Sequence, residues 1–223
     1  MNRWLGVIVI PLSAGLGLAL AWAMLDLPPA PVHLPAQVAG SLAVSGVDHP
    51  VTAVLLNFRG YDTLLEVGVL LLALLGVLAA GATPERPTSL PPDPMLEGLA
   101  RLLVPLMVLT AGYLLWAGAF RPGGAFQAAA VLAGAGVLLR LAGPVTAWTQ
   151  PGRMLRLGLA AGFVVFLAVA ALGLAQGAML EYPRAWAGSL ILAVEAGLTV
   201  SLGLTLAGLF LAGPEIPRGG PRA

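Results

Sequence analysis

The sequence predicts an all-α integral membrane protein, a polytopic bundle of about six transmembrane helices with both termini in the cytoplasm. Three observations predict it. Hydrophobic residues make up 59% of the 223 and charged residues only 9%, against about 25% charged in a soluble domain, so the chain cannot clothe a water-facing surface. Its mean hydropathy is +0.94, and its apolar residues gather into runs long enough to cross a hydrocarbon core of about 30 Å, which takes about 20 helical residues. The arginines then divide unequally between the two sides that those crossings define.

The runs follow in order. The first, Trp4 to Leu25, is preceded by Arg3 and contains Ala21-Trp22-Ala23, a string that also fits a signal-peptide cleavage site. Its apolar stretch is long for a signal peptide, so it is read as a retained helix. A long connection follows from Asp26 through Gly60, opening with the extended Leu27-Pro28-Pro29-Ala30-Pro31. Residues Val51 to Phe58 within it are apolar and suit a short interfacial or re-entrant helix that stops at Arg59-Gly60. The second run is Asp62 to Ala82. Five prolines between Pro84 and Pro94, with Glu85, Arg86 and Asp93, then read as a solvated linker. Leu99 to Ala117, Ala125 to Ala142, Leu155 to Leu174 and Ala187 to Ala212 supply four more crossings.

The expected organisation is a two-helix module over residues 1–83, a linker over 84–96, a four-helix domain over 97–213 and a flexible tail over 214–223. With the N-terminus inside, Arg3, Arg86, Arg101, Arg140, Arg153, Arg156, Arg218 and Arg222 fall on the inner side, and Arg59, Arg121 and Arg184 on the outer. Pairs of small residues four apart, such as Gly158 and Gly162, Gly203 and Ala207, and Gly208 and Ala212, permit close helix approach. Among 29 glycines such pairs arise by chance, so they name no partner helix.

Several chemistries are set aside. Cysteine is absent and the net charge is only +1, with the eleven basic residues scattered along the chain, so neither a thiolate site nor a nucleic-acid surface is expected. His33 and His49 lie in the outer loop without metal-ligand spacing. No catalytic triad or dinucleotide fingerprint is present, so the chain is not expected to be an enzyme or to carry a cofactor. Every basic residue is arginine, which effectively never gives up its proton. Proton handling therefore falls to Asp, Glu, Tyr or the two histidines.

An ionised side chain at mid-bilayer costs about 2.5–3.5 kcal/mol even on the lenient insertion scale, so two acids inside apolar runs ask for a reason. Glu66 lies in the first turns of the second run. Asp62 sits one helical turn before it and Arg59 precedes both. These residues are either interface anchors with Glu66 close enough to snorkel, or a polar cluster facing a hydrated path or a neighbouring protein. Glu195 lies about eight residues into the last run, with Thr199 one turn later. It either fastens helices as a protonated or hydrogen-bonded acid, or belongs to an ion or proton route. The turn Arg121-Pro122-Gly123-Gly124-Ala125-Phe126-Gln127 joins two runs with almost no loop, and its glycines allow either a tight hairpin or a broken helix start with free N–H groups for an anion. It lacks the Lys-Ser/Thr of a phosphate loop.

At these residues the chain resembles the Mrp-type multisubunit sodium/proton antiporters and the related membrane arms of energy-converting hydrogenases. Residues from about 96 to 212, with Leu102-Leu103-Val104-Pro105-Leu106, the Pro122-Gly123-Gly124 turn through Gln127, and Glu195-Ala196-Gly197-Leu198, are similar to the small four-helix MrpB-type component of that antiporter. Residues from about 51 to 82, with Asn57-Phe58-Arg59-Gly60-Tyr61-Asp62-Thr63-Leu64 and Glu66, resemble the C-terminal tail of the antiporter's large component, or the small hydrogenase protein equivalent to that tail. Asn57 stands where the family usually has Asp, Ala125 where a third Gly is common, Ala128-Ala129 where glycines often follow, and Glu195 where Asp is expected.

The resemblance implies an accessory subunit in a prokaryotic cell membrane, partnered by larger membrane subunits, sodium ions and protons. Glu66, Glu195, Asp62, Arg59 and Gln127 are then candidates for an ion or proton route, and Pro122, Gly123 and Gly124 form its structural turn. The alternatives are a membrane-arm component that couples redox chemistry to ion movement, and a purely structural scaffold.

Overall fold

The computed structural model describes residues 3–27, 32–79, 93–143, 152–175, 177, 179–180 and 182–211. Among them there is no strand. The helices are α1 (Arg3–Leu25), α2 (Leu34–Ser41), α3 (Pro50–Ala53), α4 (Gly60–Ala79), α5 (Pro94–Ala117), α6 (Ala125–Ala142), α7 (Arg153–Leu174) and α8 (Ala187–Leu211). A 3-10 turn, Leu42–Val44, follows α2, and a π-helical turn, Val54–Phe58, continues α3 up to Arg59. Helices α4 to α8 are each long and apolar enough to cross a membrane, and α1 covers the first expected run with 23 residues, Pro11 within it. The all-α polytopic architecture is as the hydropathy pattern predicts. Most of the Pro-rich linker and the whole C-terminal tail lie outside the described residues.

The boundaries have local causes. Helix α5 starts at Pro94, five residues before the apolar run, because the Asp93 side chain accepts a 2.9 Å hydrogen bond from the Met95 N–H and Pro94 occupies the first helical position. Arg101 and Glu97, 2.7 Å apart and one turn from each other, support the polar first turns. Helix α7 likewise begins at Arg153, just after Gly152. Helix α6 holds the expected span, Ala125–Ala142. The expected short helix at Val51 to Phe58 begins at Pro50 and breaks at Arg59, whose φ of −128° and ψ of 32° end the π turn. Helix α4 starts at the next residue.

The chain divides into two compact units, Met1–Gln37 and Val38–Ala223. The first consists of α1 and the start of α2. Within the second, α8 is the hub. It packs against α6 and α7 along much of its length and also against α4 and α5. Ile191, Val194, Leu198 and Leu202 are essentially inaccessible, and buried positions cover most of the helix, leaving one exposed stripe through Ser189, Leu192, Ala196 and Val200.

Small residues set the spacing. A Cβ at Gly162 of α7 would stand 2.9 Å from the Gly197 carbonyl oxygen of α8, and one at Gly203 of α8 would stand 3.4 Å from the Ala129 carbonyl of α6. A Cβ at Gly208 would meet Leu74 of α4 at 3.0 Å. Each small residue singled out in the sequence and described here therefore faces an identifiable neighbour, which its spacing alone did not reveal. The Ser201 hydroxyl of α8 adds a 2.5 Å hydrogen bond to the Leu159 carbonyl of α7.

Candidate functional site

The site is built where α5 ends and α6 begins. Three glycines allow backbones to touch there. A Cβ at Gly118 would fall 2.6 Å from the Gly124 Cα, and one at Gly123 would fall 2.5 Å from the Leu114 carbonyl oxygen. Gly124 has a φ of +107°, a conformation that costs an L side chain of order 1–3 kcal/mol. The Gly124 N–H returns to the Leu114 carbonyl at 2.8 Å, which closes the hairpin.

Gly124 is also the residue that precedes α6, and it offers no side chain to cap the helix. The cap comes from α8. Glu195 Oε1 accepts a 3.3 Å hydrogen bond from the Ala125 N–H, and a Cβ at Gly124 would lie 2.7 Å from that same oxygen. An acid at a helix N-terminus satisfies an orphan donor and meets the positive end of the helix dipole. The sequence left two readings of the Pro-Gly-Gly turn, a hairpin or an anion site; the turn closes a hairpin, and the group met by the Ala125 N–H is the Glu195 carboxyl of the same chain. Glu195 is 3% exposed, while its Oε2 has no hydrogen-bond partner. Its backbone carbonyl accepts a 2.8 Å bond from Thr199.

The third wall is the segment from Ser45 to Phe58. The Thr52 hydroxyl donates to the Gly118 carbonyl at 2.5 Å, and the N–H groups of Asp48 and His49 both donate to the Ala119 carbonyl, at 2.9 and 3.0 Å. These bonds satisfy carbonyls that the end of α5 leaves free. The segment is itself braced by Asn57, whose Nδ2 donates to the Ser45 carbonyl at 2.9 Å. An aspartate at 57 has no such donor when ionised. The π turn, marked by the 2.8 Å bond from the Arg59 N–H to the Val54 carbonyl, leaves the Leu55 carbonyl to be met by the Thr63 hydroxyl at 2.6 Å.

Where the three walls meet there is a cavity of about 20 Å³, lined among others by Thr52, Gly124, Gln127, Leu198 and Glu195. Of the sequence-predicted residues, Glu195, Gly123, Gly124 and Gln127 come together here. Pro122 sits beside them, exposed in the turn. The others do not join. Arg59 and Asp62 form an ion pair with both side chains more than half exposed, and Glu66 is exposed on α4 away from the cavity. Thr52 was not singled out in the sequence, although a lone hydroxyl inside the apolar stretch from Val51 to Phe58 was the available signal.

The histidines differ from each other. His33 is exposed, whereas His49 is half-buried, with its Nδ1 unpartnered. Tyr182, in the connection before α8, is pushed up to about 12 by burial, so it stays neutral at physiological pH. No group of three or more His, Asp or Glu side chains able to hold a metal occurs among the described residues.

Fold and site together define a polytopic helical membrane protein with the buried carboxyl group of Glu195 at a broken helix start. Residues 95–212 match the model of a domain related to the MnhB subunit of Na+/H+ antiporter, and the chain belongs to that family, the one its Pro-Gly-Gly turn and Glu195 motif resemble. Among solved structures, a chain of the Mrp complex from Dietzia sp. DQ12-45-1b matches 99% of this chain with a TM-score of 0.72 at 21% identity, and this chain spans 27% of that chain's length. A chain of the membrane-bound sulfane sulfur reductase, an archaeal respiratory membrane complex, matches 92% of this chain and 96% of its own length, with a TM-score of 0.71 at 26% identity. No curated protein matches.

Proposed function

We propose that the chain is an accessory membrane subunit of a multisubunit cation (sodium)/proton antiporter in a prokaryotic cell membrane, where Glu195 accepts and releases protons on a route at a subunit interface. One observation carries this reading. Glu195 is sealed inside a membrane-spanning bundle with one oxygen on a helix N-terminus and the other unpartnered beside a cavity. A carboxyl that only fastened helices would be expected to use both oxygens, since an unsatisfied buried acceptor costs about 1–3 kcal/mol. Glu66, exposed on α4 with Asp62 and Arg59, suits contact with a neighbouring protein of the complex, for a carboxylate facing lipid is unfavourable.

The test is Glu195→Gln in the intact complex, assayed as sodium-driven proton exchange in inverted membrane vesicles. Exchange is expected to fall by about a hundredfold, the lower end of what a positioned proton-transfer group contributes, with the assembled complex recovered in normal yield. Undiminished exchange would refute the reading.

A second reading has its own support. The near end-to-end match to a chain of the sulfane sulfur reductase favours work beside redox subunits, in a complex that couples electron transfer to ion movement. The site would play the same part there, and only the source of driving energy would differ.

A further inference from the structure

We infer that one face of α4 is the docking surface for a membrane-spanning helix of a neighbouring subunit, and that this helix carries a lysine or arginine opposite Glu66. This rests on the reading of the chain as one subunit of a membrane complex, and not on the role given to Glu195. The face runs through Asp62, Glu66, Val69, Ala73 and Gly76, spaced four, three, four and three residues apart, which lines them up along one side of a helix. All five are exposed. Thr63, Val67 and Leu74, further round the same helix, are buried.

Glu66 decides what covers the face. Helix α4 begins at Gly60, where the exposed ion pair of Arg59 with Asp62 and the exposed Tyr61 suit the bilayer interface. Glu66 lies one turn beyond Asp62, about 9 Å along the axis from Gly60 at 1.5 Å per residue, and its short side chain snorkels less far than an arginine stem. A carboxylate left against acyl chains is unfavourable, so lipid does not suit this position. A cation does, because a charge pair withdrawn from water attracts more strongly than one at the surface. The chain itself does not supply that cation. Among the described residues the ion pairs are Arg59 with Asp62 and Arg101 with Glu97, and α1 carries no basic residue after Arg3.

The rest of the stripe fits a helix. A Cβ added at Gly76 meets nothing within 4 Å, and Ala73 is equally small, so a neighbouring backbone has room to come close. Exposed Leu65 and Leu72 flank these positions and offer packing on either side of the line of approach. Small residues that let backbones approach are what favours helix association in lipid. A segment entering hydrocarbon must also satisfy its own backbone groups, as a helix does. The face therefore offers charge near one end of the span and close packing along the remainder.

The experiment is photocrosslinking of the assembled complex in its native membrane, with p-benzoylphenylalanine in place of Val69 on the stripe or of Leu75, about 120° round the helix from it, and identification of the attached peptide by mass spectrometry. The Val69 probe should capture mainly one membrane-spanning segment of another subunit, with a lysine or arginine within a turn of the level of Glu66, and the Leu75 probe should not capture it. Glu66→Leu should lower recovery of that subunit, per tagged chain purified in mild detergent, by at least about tenfold, the low end for a close interfacial charge pair. Glu66→Lys together with a glutamate in place of the partner's basic residue should restore recovery. The Val69 probe leaves Glu66 intact, so it decides the matter even if Glu66→Leu is not inserted. Capture of lipid alone, of α1 of the same chain, or of a segment without lysine or arginine would overturn the inference, as would equal capture by the two probes or full recovery with Glu66→Leu. A loss that the charge exchange leaves unrepaired would overturn the pairing. If the unsubstituted chain brings down no other membrane subunit, the accessory-subunit reading itself falls.

Discussion

At the scale of single residues, the glycines at the turn are not interchangeable with those elsewhere. Gly124→Ala places a methyl group 2.7 Å from Glu195 Oε1 at a φ of +107°, so backbone strain and a clash with the cap act together. A loss of at least 1–3 kcal/mol is expected, visible as a lower thermal unfolding midpoint in detergent. Gly76→Ala is the control, for a Cβ there meets nothing within 4 Å and alanine is the better helix former, so its midpoint should be no lower than that of the parent. Equal midpoints for the two variants would mean that the turn does not bear on stability. Glu195 was legible in the sequence because a lone acid in an apolar run is conspicuous. Its partner was not, because the Ala125 N–H is a main-chain donor seventy positions away and leaves no trace in residue identity. Asn57 shows the reverse case. As a departure from the family's aspartate it looked like a lost acid, whereas here its amide performs a bracing role that needs a donor.

At the scale of elements, the helical runs were readable to within a few residues, since hydropathy fixes where a helix can cross a bilayer. The Asp93 cap moved the start of α5 ahead of its apolar run. The stretch from Val51 to Phe58 was legible as a short helix but not as a π turn, because widening a helical turn by one residue follows from what surrounds it rather than from propensity. Its weak point is the Leu55 carbonyl. Thr63→Val keeps the shape of a side chain that is 1% exposed and removes the hydroxyl that meets this carbonyl, at a cost of about 1–3 kcal/mol. Faster amide hydrogen exchange over residues 54–59, with little change in α6 and α7, is the expected result. Unaltered protection of that stretch would show that the π turn is held by other contacts.

At the scale of the whole molecule, the exposed apolar faces of α4 and α5 and the exposed acid at Glu66 fit a chain that is one part of a larger membrane assembly. Mild-detergent purification of the tagged chain from its native membrane, with mass spectrometry of what accompanies it, should recover large antiporter-like subunits. Redox subunits in their company would move the choice to the second reading. A chain recovered alone that still moves ions in vesicles would overturn the accessory role. The sequence carried the family and the bundle, but not the way the segment around Thr52 and the α5–α6 turn wall in a single carboxyl, since that depends on three stretches far apart in the chain.

The central position of α8 also bears on how the bundle is made. Translation proceeds from the N-terminal end, so α4, α5, α6 and α7 reach the bilayer before the helix that each of them packs against. Until α8 arrives, the Ala125 N–H has no carboxylate to meet, and the small-residue seams of α6 and α7 face lipid or one another. The packing of the bundle is therefore completed only by the last-emerging of these helices, and the residue that makes that helix hardest to insert, Glu195, is the one that meets a main-chain donor on a helix already made.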